Sequence, residues 1–238
     1  LRPSGQLAVG VPGGTEVFVK TLQCTAEEKP HLVFLELDAE NAYNSLHRAH
    51  ALAVVRQRAP GLYPYARTML RRLSHLSFWD STGNWYDLTS SRGVDQGDPL
   101  SPALFALGLA PVLERLKTEL QRLACERGFS ERDVMVLAYL DDVCLGVPPD
   151  LAEEALAVAE QLLAECGLQL NLTKCKAWSP SGVCPAASLQ HLWNPSGLVV
   201  LGAPLDGMYA TALGNNSFVD EHCDTKKEAC RDLLARLE

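Results

Sequence analysis

Val134-Met-Val-Leu-Ala-Tyr139-Leu-Asp141-Asp142-Val-Cys-Leu-Gly146 is the stretch on which the reading of this chain turns. Its Val, Leu and Tyr content predicts a β-strand that buries itself against a core, yet it carries two adjacent carboxylates and no other charge. An unpaired carboxylate withdrawn from water is costly, so burial here requires a cation, and a hard divalent metal suits oxygen donors. A tight turn between two strands, with Asp141 and Asp142 facing water, explains the same residues without a metal.

A second apolar stretch separates the two readings. Leu32-Val-Phe-Leu-Glu-Leu37 reads as a strand that delivers a third carboxylate, Asp38, into Ala39-Glu-Asn-Ala-Tyr43-Asn-Ser-Leu46. Three carboxylates at strand ends suit two Mg²⁺ ions, with Mn²⁺ as a substitute. Such a pair, about 4 Å apart, clamps the attacking hydroxyl and the leaving phosphate oxygen of an in-line displacement.

At this point the chain resembles a known family. Leu37-Asp-Ala-Glu-Asn-Ala-Tyr-Asn-Ser45 resembles the first palm motif of reverse transcriptases, Gly93-Val-Asp-Gln-Gly-Asp-Pro-Leu-Ser-Pro-Ala-Leu-Phe105 the second, and Ala138-Tyr-Leu-Asp-Asp142 the third. Gly167-Leu-Gln-Leu-Asn-Leu-Thr-Lys-Cys175 looks like the fourth motif, and Val200-Leu-Gly-Ala203 is similar to the start of the primer-grip hairpin. Order and spacing agree, and the form of the second motif is similar to that of the non-LTR retrotransposon and group II intron branch. The resemblance implies an α+β polymerase palm: a βαββαβ layout in which an antiparallel sheet is covered by helices on one face. It divides the chain into partial fingers (1–30), a palm (31–205, with fingers-proximal helices and a hairpin at about 45–92) and the start of a thumb or connection (206–238).

Composition agrees with a globular enzyme. With 238 residues, 47% of them hydrophobic and 21% charged, the chain can bury a sizeable core. No stretch has the length and apolarity of a membrane span and no secretory signal precedes the first strand, so the chain reads as intracellular, with nuclear action following from family analogy only. The formal charge of −8 is unexpected for a protein that grips phosphates. Either the basic surface belongs to the remaining domains of a longer polyprotein, or the basic residues are gathered locally. Arg56, Arg58, Arg67, Arg71, Arg72 and Arg92 gather in one third of the sequence and read either as a phosphate-binding surface or as a solvated helix face. The eight cysteines are scattered and read as buried free thiols; Cys175, Cys184, His191, His222 and Cys223 lack the paired spacing of a zinc knuckle.

Local patterns predict the remaining elements. A helix starts at about Thr15, capped by its hydroxyl; another runs from Ser45 to Arg58, stopped by Ala59-Pro60-Gly61; a third runs from Pro64 to Leu73. Phe78 to Asp87 reads as a hairpin turning at Ser81 to Asn84, with Trp79 packed near Trp85. A long helix from Pro99, with Leu100, Leu104, Leu107, Val112 and Leu116 on one side, is kinked or split at Pro111. Asp150 to Cys166 forms a helix with a capping box at Asp150 and Glu153 and a left-handed stop at Gly167. A last helix, Val219 to Leu237, starts a thumb.

The resemblance also implies roles. Asp38, Asp141 and Asp142 are the catalytic metal ligands, with Asp142 in the weaker part. Ala39, Tyr43, Gln96 and Gly97 meet the incoming nucleotide or template, and Leu201 and Gly202 belong to the primer grip. The ring of Tyr43 would clash with a 2′-hydroxyl and select deoxynucleotides. Lys174 is read either as the general acid for pyrophosphate departure or as an exposed lysine. Glu40 and Asp95 depart from the family pattern by adding negative charge. The implied function is an RNA-directed DNA polymerase core using an RNA template, a DNA primer and deoxynucleoside triphosphates. A catalytically inactive RNA-binding or interaction module of the same ancestry is the alternative, and an RNA-templated RNA polymerase, disfavoured by Tyr43, is the third.

Overall fold

A computed structural model describes residues 1–206 and 217–235. In β1 (Val33–Leu37) the side chains of Val33, Leu35 and Leu37 join one core and Phe34 joins another on the opposite face. Because both faces of the strand are covered, its sequence is an almost unbroken apolar run instead of an alternation. Glu36 is the exception and shares the face of Phe34.

The strand sits inside a four-stranded sheet of order β4-β5-β1-β6, with β4 (Met135–Tyr139), β5 (Asp142–Val147) and β6 (Lys176–Trp178). All three pairings are antiparallel, in registers that run from Val33↔Val147 to Leu37↔Val143, from Met135↔Gly146 to Tyr139↔Asp142, and from Phe34↔Trp178 to Glu36↔Lys176. The outer edge of β4 is covered by the amino-terminal segment, where Leu7 N–H donates to Ala138 O (2.8 Å) and Ala138 N–H to Gly5 O (2.9 Å).

Helices α5 (Ser101–Glu126) and α6 (Ala152–Glu165) lie on the face of Val33 and Leu35 and complete the expected βαββαβ palm. Phe105, Leu109, Leu113 and Leu116 of α5 are fully buried, each withdrawing an apolar side chain that favours folding by about 1.5–3 kcal/mol. The opposite face is covered at one end by α1 (Gly14–Glu28), through Phe18, Leu22 and Ala26. A small hairpin of β7 (Leu198–Val200) and β8 (Ala203–Leu205) joins it there. The rest of that face carries Glu36, half-buried, and Asp142, exposed among the described residues.

The structure revises several local expectations. The helix expected over Ser45 to Arg58 starts later, as α3 (Arg48–Arg58), and a short helix α2 (Ala42–Ser45) precedes it; Leu46 turns extended between them and its side chain enters the core. Thr15 caps nothing: the residue before α1 is Gly13, in a left-handed conformation with no side-chain bond. No capping box forms at Asp150, since a short 3₁₀ turn over Pro149–Leu151 precedes α6. Helix α4 (Tyr63–Leu70) ends earlier than expected, and α5 starts at Ser101 and runs through Pro111 unbroken. The hairpin forms as expected from β2 (Ser74–Trp79) and β3 (Trp85–Ser90), with Trp79 and Trp85 edge to face at 4.9 Å. Gly167 takes the left-handed stop at φ 96°. The final helix, α7, spans Ser217–Ala235; Leu237 lies outside the described residues.

Candidate active site

Asp38 extends β1 by one residue on the face already occupied by Glu36. Its carbonyl accepts from Asn171 N–H (2.8 Å), Ala39 bridges to Leu170, and its own N–H points at the Cys175 sulfur (3.4 Å). The fourth motif therefore holds the end of the first. Across β1, Glu36 is opposite Cys144, and Asp142 lies two residues before Cys144 on β5, so its side chain shares that face. Tyr139 pairs with Asp142, leaving Leu140 and Asp141 as a two-residue connection in which Leu140 is left-handed, φ 56°.

Withdrawal from bulk water and then the like charges of Asp141, Glu36 and Asp38 push the Asp142 pKa up to about 6. The residue as a whole keeps an exposed side chain, so solvent screens part of this effect. Burial also raises Glu36, and the ammonium of Lys176, 3.2 Å away, offsets it incompletely while Asp38 adds to the rise. Tyr43 is raised by burial and by the charge of Asp141. Its half-buried ring is stacked on Phe105, centroids 4.8 Å apart and 4° from parallel.

Four carboxylates thus crowd one sheet face and its adjoining turn, with Lys176 as the basic side chain bonded to the group. Hard oxygen donors whose like charges raise Asp142 and Glu36 have the chemistry of a site for a divalent ion of the Mg²⁺ class. The fit is one of donor type and charge: among the described residues no three Asp, Glu, His or Cys side chains are drawn together as a closed metal cluster. That holds for the zinc alternative also. The cysteines are free thiols, of which Cys144, Cys166 and Cys175 are buried and Cys24, Cys125, Cys223 and Cys230 are exposed. His222 meets the Gly202 carbonyl at 3.1 Å instead.

The remaining anticipated residues are dispersed. Lys174 is exposed in the turn before β6, and its ammonium makes no ion pair among the described residues. Gln96 and Gly97 are exposed, Gly97 at φ 101° with open space around it. Asp95 is exposed, and Glu40 lines a cavity of about 190 Å³ with His47 and Arg92. Leu201 and Gly202, both at positive φ, form the turn of the β7–β8 hairpin, the geometry favoured for two-residue hairpins. Arg67, Arg71 and Arg72 line a cavity of about 530 Å³ beside Tyr63, while Arg58 is paired with Glu114 at 2.6 Å.

Sequence reasoning missed Glu36 and Arg48. A glutamate inside a fully apolar strand was a visible signal for the first. The second stands outside the arginine group singled out in the sequence, yet it is buried and donates to the carbonyls of Gly93 (2.8 Å), Arg72 (2.8 Å) and Ser90 (3.2 Å). It thereby ties the base of the β2–β3 hairpin and the entry to the second motif to α3.

Comparison with known proteins places this geometry in context. The family model described as reverse transcriptase (RNA-dependent DNA polymerase) matches residues 6–205. The chain is 27% identical over 175 residues to the retrotransposable element SLACS 132 kDa protein of Trypanosoma brucei gambiense, a match covering 73% of this chain and 14% of that protein. It is 29% identical over 182 residues to the retrovirus-related Pol polyprotein from type-1 retrotransposable element R2 of Nasonia vitripennis, covering 74% of this chain and 17% of the relative. The chain thus spans a small fraction of the length of these relatives. Among solved structures, telomerase from Candida albicans superposes with a TM-score of 0.54 at 13% identity, over 74% of this chain and 31% of that one. Apo telomerase from Candida tropicalis gives 0.55 at 11% identity, over 74% and 33%. At such identities the likeness shows the fold alone.

Proposed function

Because the chain belongs to the reverse transcriptase (RNA-dependent DNA polymerase) family, matched over residues 6–205, we infer that it is the RNA-directed DNA polymerase core of a longer retroelement protein. It extends the 3′-hydroxyl of a DNA primer with deoxynucleotides on an RNA template. The observation that supports this reading is that Asp38 and Asp142 share one sheet face, with Asp141 in the adjoining turn and near enough to Tyr43 for its charge to raise that phenol.

Asp38 and Asp141 would hold two Mg²⁺ or Mn²⁺ ions, with Asp142 in support. Bound there, the ions would lower the pKa of the primer hydroxyl and neutralise charge on the triphosphate. The ring of Tyr43, fixed by its stack on Phe105, excludes a 2′-hydroxyl and so favours deoxynucleotides. Ala39 meets the nucleotide from the turn after β1, and Gln96 and Gly97 orient it against the template. Lys174 donates a proton to the departing pyrophosphate, and the Leu201–Gly202 turn bears on the primer.

Primer extension on an RNA template with Mg²⁺ tests this reading, using the chain and, in parallel, a longer protein carrying its flanking sequence. Extension abolished by Asp141→Asn is the expected result, with Tyr43→Ala admitting ribonucleotides more readily. No extension from either protein, folding verified by circular dichroism, would refute it in favour of a non-catalytic RNA-binding module.

A further inference from the structure

Gln6 is a fully buried polar side chain, 0% exposed, on the amino-terminal segment that flanks β4. Its carboxamide bonds to the backbone through both of its polar atoms. Nε2 donates to the Leu140 carbonyl at 3.1 Å, while Oε1 accepts from Leu140 N–H at 2.9 Å and from Ala8 N–H at 3.2 Å. The side chain therefore pairs with the Leu140 peptide as a neighbouring strand would, using one donor and one acceptor at once.

Leu140 is an unusual residue to hold in this way. It adopts φ 56°, a left-handed conformation that a branched L-residue disfavours by roughly tenfold, and no glycine stands beside it to share the turn. The next two residues are Asp141 and Asp142. If Leu140 relaxes to negative φ, the peptide that follows rotates and both carboxylates leave the face of Asp38. Such strain persists only where surrounding structure over-determines it. Here the determinant is contributed by a residue far away in sequence.

We propose that Gln6 is a positioning residue for the aspartate turn: its carboxamide locks Leu140 in the left-handed conformation and so fixes the direction in which Asp141 and Asp142 present their carboxylates. The inference rests on the polymerase reading for its consequence and on the hydrogen bonds for its mechanism.

The test compares the parent chain with Gln6→Leu and Gln6→Met, each alone and combined with Leu140→Gly, which removes the penalty for positive φ. Hydrogen exchange in the metal-free chain should show the Leu140 amide exchanging at least about tenfold faster in the Gln6 variants, with the β1 amides Val33–Leu37 unchanged. Mn²⁺ binding, followed by electron paramagnetic resonance, should weaken several-fold. In extension assays kcat should fall about tenfold with KM for the deoxynucleotide held within about twofold, and Leu140→Gly should restore most of the loss. Unchanged exchange at Leu140 together with unchanged Mn²⁺ affinity overturns the proposal. So does equal acceleration across β1 and the turn with no recovery from Leu140→Gly, which would assign Gln6 to overall stability. If neither the parent chain nor the longer protein carrying its flanking sequence extends primers, the polymerase reading fails while the exchange and Mn²⁺ results still decide the role of Gln6.

Discussion

Replacing Arg48 should cost more stability than any exposed arginine, and the size follows from its surroundings. The side chain is 7% exposed and forms no ion pair among the described residues. Its charge is satisfied by carbonyls of Gly93, Arg72 and Ser90 and by the hydroxyls of Ser74 (3.2 Å) and Ser90 (3.4 Å). Hydrogen bonds from a charged donor contribute about 1.5–3 kcal/mol each, and a stranded buried acceptor costs about 1–3 kcal/mol. Relieving the buried charge of its desolvation offsets part of the sum, so Arg48→Met should lose roughly 3 kcal/mol of a total that is typically about 5–15 kcal/mol. Arg48→Lys should lose nearly as much, because a point charge cannot serve a planar fork of acceptors. Urea denaturation followed by circular dichroism measures the loss, and hydrogen exchange locates it. The amides of β2 and β3 should exchange first, since Ser74 and Ser90 lie at the base of that hairpin. A loss below about 1 kcal/mol with those amides as protected as in the parent would refute the reasoning.

Other expectations follow from the same geometry. The Asp142 pKa of about 6 lies above its ordinary 3.8, so this group favours the fold fully below about pH 4, and that contribution is lost as pH rises through 6. In metal-free urea titrations Asp142→Asn should match the parent at pH 4 and exceed it by about 1 kcal/mol at pH 7.5, a figure already discounted for solvent screening; equal stability at both pH values contradicts the crowding of carboxylates. Gly93→Ala should prevent normal folding, because the added carbon would lie 2.3 Å from the Tyr43 carbonyl oxygen and 2.4 Å from the Asn44 Cα. Gly97→Ala, with nothing in its way but a φ of 101°, should cost only about 1–2 kcal/mol in the same titration, and equal effects at the two glycines would undo the distinction. Leu113→Ala, fully buried in α5, should destabilise by about 2–5 kcal/mol in denaturant melts.

Much of the palm was legible in the chain because its signals are local. Apolar runs over 32–37 and 134–146 predict strands, the carboxylates at Asp38, Asp141 and Asp142 point to a divalent cation, and the stripe from Leu151 to Cys166 predicts a helix facing the sheet. The motifs carried the order of elements and singled out Asp38, Asp141 and Asp142. Local signals fell short where a backbone turn depended on distant partners: the extended turn at Leu46 sends a side chain into the core, and capping at Thr15 and Asp150 yielded to other entry geometries. Three decisions belong to the tertiary structure alone. Arg48 is buried because the carbonyls at the ends of α4, β3 and the second motif converge on it, which no periodicity encodes. Glu36 joins the aspartates because the antiparallel register sets it across from Cys144. Leu140 takes a conformation its own residue type disfavours because Gln6 meets its peptide across the edge of the sheet. Residue type and spacing act over a turn of helix or a pair of strands, whereas register, burial of charge and strain are settled only when segments far apart in sequence compete for the same space and the same hydrogen bonds.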